Sequence, residues 1–288
     1  MSVPCLAHLP DPSLPQHPLP PGATDCHAHV ILPETQHPFV ENRSYTPPPA
    51  TLADFKSLHA KLGIERAVIV QPSVYGTDNR VTLDAIAAYG PNCRGVAVVD
   101  ADCPLDLLRS MDADGIRGAR INLLFSGGIG LDDLEILARR IADLRWHFQL
   151  LIDGPTLDAI ENRLTRLPVP VVIDHMGHVQ ACDGLNQAGF RALCRMVSAG
   201  NTWVKLSGNY RMSTHRPNFE DVVPFAKALI AENPERMVWG TDWPHPAMQD
   251  FMPDDGALVD AIDTYVRSTD EKKRILVDNP AHLYGFFS

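Results

Sequence analysis

The chain has 288 residues, 45% of them hydrophobic, and a formal net charge of −10 at neutral pH. That apolar share fits a packed globular core, and the length fits one large domain or two small ones. The negative charge argues against nucleic acid or an anionic membrane as the main partner, so an anionic ligand would need arginines placed locally.

Residues 1–22 contain no Lys or Arg and no long apolar run, which is unlike a secretory signal. No stretch approaches the ~20 apolar residues of a membrane span. The six cysteines (5, 26, 93, 103, 182 and 194) show neither CxxC nor zinc-finger spacing, so reduced thiols in a cytoplasmic protein are expected. "PDPSLPQHPLPPG" reads as an extended, polyproline-like arm over residues 1–22 that leads into a domain spanning 23–288.

From residue 23 onward, short β-branched runs alternate with amphipathic stretches. The predicted strands are "ATDCHAHV" (23–30), "RAVIVQP" (66–72), "RGVAVVD" (94–100), "IRGARINL" (116–123), "FQLLID" (148–153), "PVVIDHMG" (170–177), "TWVKLSG" (202–208) and "MVWGTDW" (237–243). Helical patterns such as "TLADFKSLHAKLG" and "NFEDVVPFAKALIAEN" lie between them, and "DEKKRILVDNPAHLYGF" closes the chain. Eight strand–helix repeats without a linker predict an α/β fold, a single (β/α)8 TIM barrel. A doubly wound open sheet would place a Gly-rich turn after its first strand, where this chain has "HAHVILPE".

A barrel of this kind carries its active site at the C-terminal ends of the strands. There the predicted strands place His27 and His29, Arg120 and Asn122, Asp174 and His175, Lys205 and Ser207 with Arg211 just beyond, and Asp242. Residues two apart on a strand face the same side, so His27 and His29 both point inward if either does. Any one of these could be an ordinary core or loop residue. Burying them together at one end would be costly without a purpose, which favours an active site. His178, Tyr45, Ser73 and His245 fall in the following loops, where structural and substrate-contact roles are both open. His8, His17, His59, His147 and His282 read as structural or solvated.

With "DCHAHV", "VIDHMG" and "GTDWPHP" in strands 1, 6 and 8, the chain resembles the amidohydrolase superfamily. The resemblance is closest to the branch containing 2-pyrone-4,6-dicarboxylate lactonase, and it runs from about residue 20 to the C-terminus. It also takes in "GTDNRVTLDAIA", "RGVAVVD", "GARIN" and "GTDWPHPAMQDFMPDDG". It implies hydrolysis of a small anionic lactone. Asp242 would take the proton of the attacking water, and His27, His29 and His175 would polarise the carbonyl. Arg120 and Arg211 would bind substrate carboxylates, with Tyr45 and Ser73 as further contacts.

The sequence departs from that pattern in two places. No second basic residue follows Arg120 in "INLLFSGGIG", and "FQLLIDGPT" has Leu151 and Asp153 where a tyrosine is expected. A related lactone with a different second substituent is therefore expected, such as a muconolactone bearing another acid group or a sugar-acid lactone. The glycine-rich "SGGIG" loop would bind an anion through backbone N–H groups. His27, His29, His175 and Asp242 also form a credible site for one Zn2+ or Mn2+. Strand 4 offers neither Lys nor Glu for a second metal, and Arg120 opposes another cation nearby. The lactonase branch also works without metal, so no cofactor is expected. A lactone isomerase, or a metal-dependent decarboxylase or hydratase, is the alternative on the same scaffold.

Overall fold

The computed structural model describes residues 2–126 and 130–286. Its eight parallel barrel strands are β1 (Thr24–Ala28), β2 (Arg66–Val70), β3 (Cys93–Ala97), β4 (Ile116–Asn122), β5 (His147–Leu151), β6 (Val171–Ile173), β7 (Thr202–Leu206) and β8 (Met237–Trp239). Each pairs with its neighbour in sequence order, so the sheet runs from β1 to β8 without a crossover. All five residues of β1, β5 and β7 are buried, as strands covered by helices on one side and core on the other should be. The predicted α/β barrel is the observed architecture.

Helices follow the strands, beginning with Leu52–Leu62. That helix starts at a capping box in which Thr51 and Asp54 satisfy each other's backbone N–H groups, and it stops at Gly63 (φ 77°). The C-terminal segment is helical as expected, but a π-helical turn at Arg274–Asp278 divides it. The proline-rich N-terminal residues lie against the barrel. Val3–Pro4 pair with Tyr45–Thr46, and Ser13 N–H donates to Asp254 at 2.8 Å. No described helix is long and apolar enough to cross a membrane.

All eight strands end earlier than their sequence patterns suggest, β6 and β8 by the most. β6 stops at Ile173 because His175, Met176, Gly177 and His178 all adopt positive φ (51°, 51°, 76° and 47°). β8 stops at Trp239, and Asp242 itself sits at φ 66°. Both tight turns aim side chains across the barrel mouth instead of along a strand.

The barrel closes beyond the last ladder pairs. Asp242 N–H donates to the His27 carbonyl at 2.8 Å and His29 N–H to the Trp243 carbonyl at 2.8 Å. Asp25 clamps the same seam, accepting from Thr241 N at 3.0 Å and Thr241 Oγ1 at 2.5 Å. Gly240 is required here, because a Cβ would lie 2.6 Å from His27 N. Closure thus seats Asp242 directly against the His27 and His29 pair.

Candidate active site

Strand parity brings the inward side chains together. His27 and His29 are both buried, as expected for residues two apart on β1. Arg120 on β4 is paired in register with Gln149 on β5, and Asn122 with Leu151, so two rows converge on Asp174 at the end of β6. Asp174 receives Gln149 Nε2 at 3.0 Å and lies 3.5 Å from Arg120, 3.4 Å from Lys205 and 3.2 Å from His27 Nδ1. Burial pushes its carboxyl up, but the Lys205 and Arg120 cations outweigh that and hold it well below the usual carboxylate range.

Asp242 is the centre of the second half of the site. Its Oδ2 accepts from Tyr210 Oη at 2.6 Å and from Arg211 Nε at 2.7 Å. Its Oδ1 lies 3.8 Å from the Nε2 atoms of both His27 and His29, while His175 Nε2 is 3.6 Å from Oδ2. Burial would raise this carboxyl, but the Arg211 guanidinium holds it well below its ordinary value. Burial in turn keeps His27 below its usual range, and His29 and His175 well below it, so all three rings are neutral at neutral pH.

The outer partners of these rings differ. His29 Nδ1 lies 2.7 Å from the Val70 carbonyl, which only accepts, so the neutral ring carries its hydrogen there and a lone pair on Nε2. His175 Nδ1 faces the Ser207 hydroxyl at 2.8 Å, and His27 Nδ1 is 3.3 Å from Lys205 Nζ. Ser207 can donate, which permits a hydrogen on His175 Nε2, and His27 Nε2 carries one when its Nδ1 accepts from Lys205 instead of donating to Asp174, 3.2 Å away. Gly208 follows Ser207 at φ 67°, and a Cβ there would lie 2.8 Å from the His175 Cβ.

A small pocket opens onto this centre. Among its walls are His29, Arg120, His175, Arg211, Asp242 and Tyr45. His27 lies beneath this layer, and Ser73 lies behind Tyr45, its Oγ 3.5 Å from the phenol oxygen. Phe125 and Leu151 supply an apolar wall, and His178 a further imidazole that burial pushes down to about 3. Residues 127–129 of the glycine-rich loop lie outside the described residues. Tyr210, Gln149 and Asp174's part as the hub escaped the sequence reading. Gln149 left a usable signal, being the one polar residue in the strand run "FQLLI"; Tyr210 left none beyond its place before Arg211.

His27, His175 and Asp242 offer ligand atoms within 4.8 Å of one another, and His27 Nε2 and Asp242 Oδ1 are buried without hydrogen-bond partners among the described residues. Imidazole and carboxylate donors converging in this way fit a divalent cation such as Zn2+ or Mn2+.

Comparison with known proteins places the whole barrel. The family model described as amidohydrolase matches residues 24–286. The chain belongs to the amidohydrolase family. Among curated relatives of this amidohydrolase, the 2-pyrone-4,6-dicarboxylate hydrolase of Comamonas testosteroni is 38% identical over 95% of the chain and 93% of its own length. The 4-sulfomuconolactone hydrolase of Hydrogenophaga intermedia is 37% identical over 93% of the chain and 90% of its own. A crystal structure from Acinetobacter baumannii, described as a probable 2-pyrone-4,6-dicarboxylic acid hydrolase with citric acid bound, superposes with a TM-score of 0.81 at 30% identity. That match covers 92% of this amidohydrolase and 100% of the other chain.

Proposed function

We propose that this amidohydrolase is a lactonase that opens the ring of a small anionic lactone, with Asp242 as the base. The observation that carries the reading is Asp242 Oδ1, buried without a hydrogen-bond partner among the described residues, in a pocket also walled by Arg120 and Arg211. The relatives named above, both hydrolases of acidic lactone-type substrates, support it.

Water is held through its hydrogens by the two acceptors that face each other, Asp242 Oδ1 and His29 Nε2. Asp242 takes one of these protons as the oxygen attacks the lactone carbonyl. His29 therefore acts as an acceptor, not as a carbonyl polariser as expected from the resemblance. His27 and His175 keep that role, presenting Nε2–H to the developing oxyanion. Collapse of the tetrahedral intermediate breaks the ring C–O bond, and the proton on Asp242 passes to the departing oxygen. Arg120 and Arg211 hold an acid group of the substrate, for which guanidinium forks are suited.

A metal held by His27, His175 and Asp242 would supply Lewis-acid polarisation of the carbonyl. Charge balance favours the route without it. Arg120, Lys205 and Arg211 already exceed Asp174 and Asp242 by one positive charge, which an anionic substrate completes and a divalent ion would worsen.

The apolar wall of Phe125 and Leu151 suits the unsaturated ring of a muconolactone bearing a carboxylate or sulfonate better than a second charged group on that side. A panel of 4-sulfomuconolactone, 2-pyrone-4,6-dicarboxylate and sugar-acid lactones at neutral pH, followed by ring-opening absorbance, tests this. Preferential opening of the muconolactone is expected. Efficient turnover of the pyrone dicarboxylate with weak turnover of the rest would overturn the substrate assignment, and no hydrolysis across the panel would overturn the lactonase reading.

A further inference from the structure

Behind Asp242 lies a line of buried polar groups that the chemistry above does not use. Tyr210 is held in a one-turn helix after β7, while His245 and Asp255 follow β8. Tyr210 Oη lies 2.6 Å from Asp242 Oδ2 and 3.0 Å from His245 Nδ1, and His245 Nε2 lies 3.2 Å from Asp255 Oδ1. His245 and Asp255 are fully buried and Tyr210 is 2% exposed. A buried carboxylate and a buried imidazole facing each other are costly unless each is the other's partner. Neither His245 Nε2 nor either Asp255 oxygen makes a hydrogen bond among the described residues, so their 3.2 Å approach is a close polar contact without an aligned hydrogen bond.

A phenol hydroxyl has one hydrogen. The shorter contact, to the charged Asp242 oxygen, claims it, which leaves the phenol oxygen to accept from His245. Asp255 faces the far side of the imidazole, where a hydrogen on either Nε2 or the carboxyl is needed for the pair to hold. With Tyr210 and Arg211 both on Oδ2, the carboxylate cannot turn, and Oδ1 stays aimed at His27 and His29. The outer end is itself anchored. Asp255 opens the helix Asp255–Tyr265, whose cap Asp254 bonds the N-terminal Ser13, and a Cβ on Gly256 would lie 2.2 Å from the Ser13 carbonyl.

We propose that Asp255, His245 and Tyr210 are positioning residues, a buried chain that fixes the Asp242 carboxylate so that one oxygen alone is presented to water. The inference rests on Asp242 being the base. None of the three lines the cavity, so they act on the rate of the chemical step and not on substrate capture.

The test is steady-state kinetics of Tyr210→Phe, His245→Gln, Asp255→Asn and the double variant Tyr210→Phe/Asp255→Asn, on the lactone that turns over fastest in the panel. Circular-dichroism melting would accompany each. Each single variant is expected to lower kcat by about tenfold or more with KM within about threefold, and the double to be no worse than Tyr210→Phe alone, because residues acting as a unit are non-additive. Should Asp255→Asn fail to fold, His245→Gln takes its place in the cycle. A kcat within about twofold of wild type in any folded single variant, or losses that multiply in the double, overturns the chain. Asp242→Asn is measured in parallel: activity retained there overturns the base assignment instead, while an inactive Asp242→Asn beside unimpaired chain variants overturns only the chain.

Discussion

Arg211 donates from Nε to Asp242 Oδ2 at 2.7 Å, so the arginine expected to hold substrate and the aspartate expected to act as base form one largely buried ion pair. A second Arg211 donor reaches the Pro246 carbonyl at 2.9 Å. The guanidinium therefore has two tasks, keeping Asp242 ionised and lending its remaining N–H to the cavity.

Asp242→Asn keeps an oxygen for Tyr210 and Arg211 but removes the proton acceptor. It should lower kcat by roughly 10²–10⁴, the range for loss of a general base, while near- and far-UV circular dichroism stay unchanged. Near-normal turnover would remove Asp242 from the role.

The two arginines should separate kinetically. Arg120→Met leaves the Asp242 pair intact and should raise KM by roughly thirtyfold, about 2 kcal/mol of lost substrate pairing, with kcat little changed. Arg211→Met should lower kcat as well. Without its guanidinium the Asp242 carboxyl rises toward or above the usual carboxylate range, so the acid limb of the pH–rate profile moves to higher pH. Identical profiles for the two variants would contradict the pairing.

Turnover should survive chelation. Protein dialysed against a chelator and checked for Zn and Mn by elemental analysis is expected to keep its kcat. Loss of activity that Zn2+ or Mn2+ restores would show that His27, His175 and Asp242 work as metal ligands.

Acidification should destabilise the fold through its buried imidazoles. Burial lowers His147 and His178 from 6.5 to about 3 each. Between those values the unfolded chain binds protons that the folded chain does not, so stability falls as pH falls below about 6.5 and rises again with pH. Each ring costs up to roughly 1.4 kcal/mol per pH unit in that window. Urea midpoints at pH 7 and pH 5 should show the drop, and His147→Gln should shrink it; a pH-independent midpoint would refute the assignment.

The eight strands, their order and the inward parity of His27 with His29 were legible in the sequence, because apolar alternation and strand–helix spacing are local properties of the chain. So was the set Arg120, His175, Arg211 and Asp242, since a barrel collects whatever stands at its strand ends. Which atom of each residue faces which was not legible. The role of His29 depends on the Val70 carbonyl 41 residues away, and the ion pair of Arg211 on a turn that puts Asp242 at φ 66°. The chain from Asp242 through Tyr210 and His245 to Asp255 joins loops after two different strands, so no spacing pattern announces it. Hydrogen-bond partners across the barrel are set by its closure, and only the closed barrel decides which lone pairs and hydrogens meet.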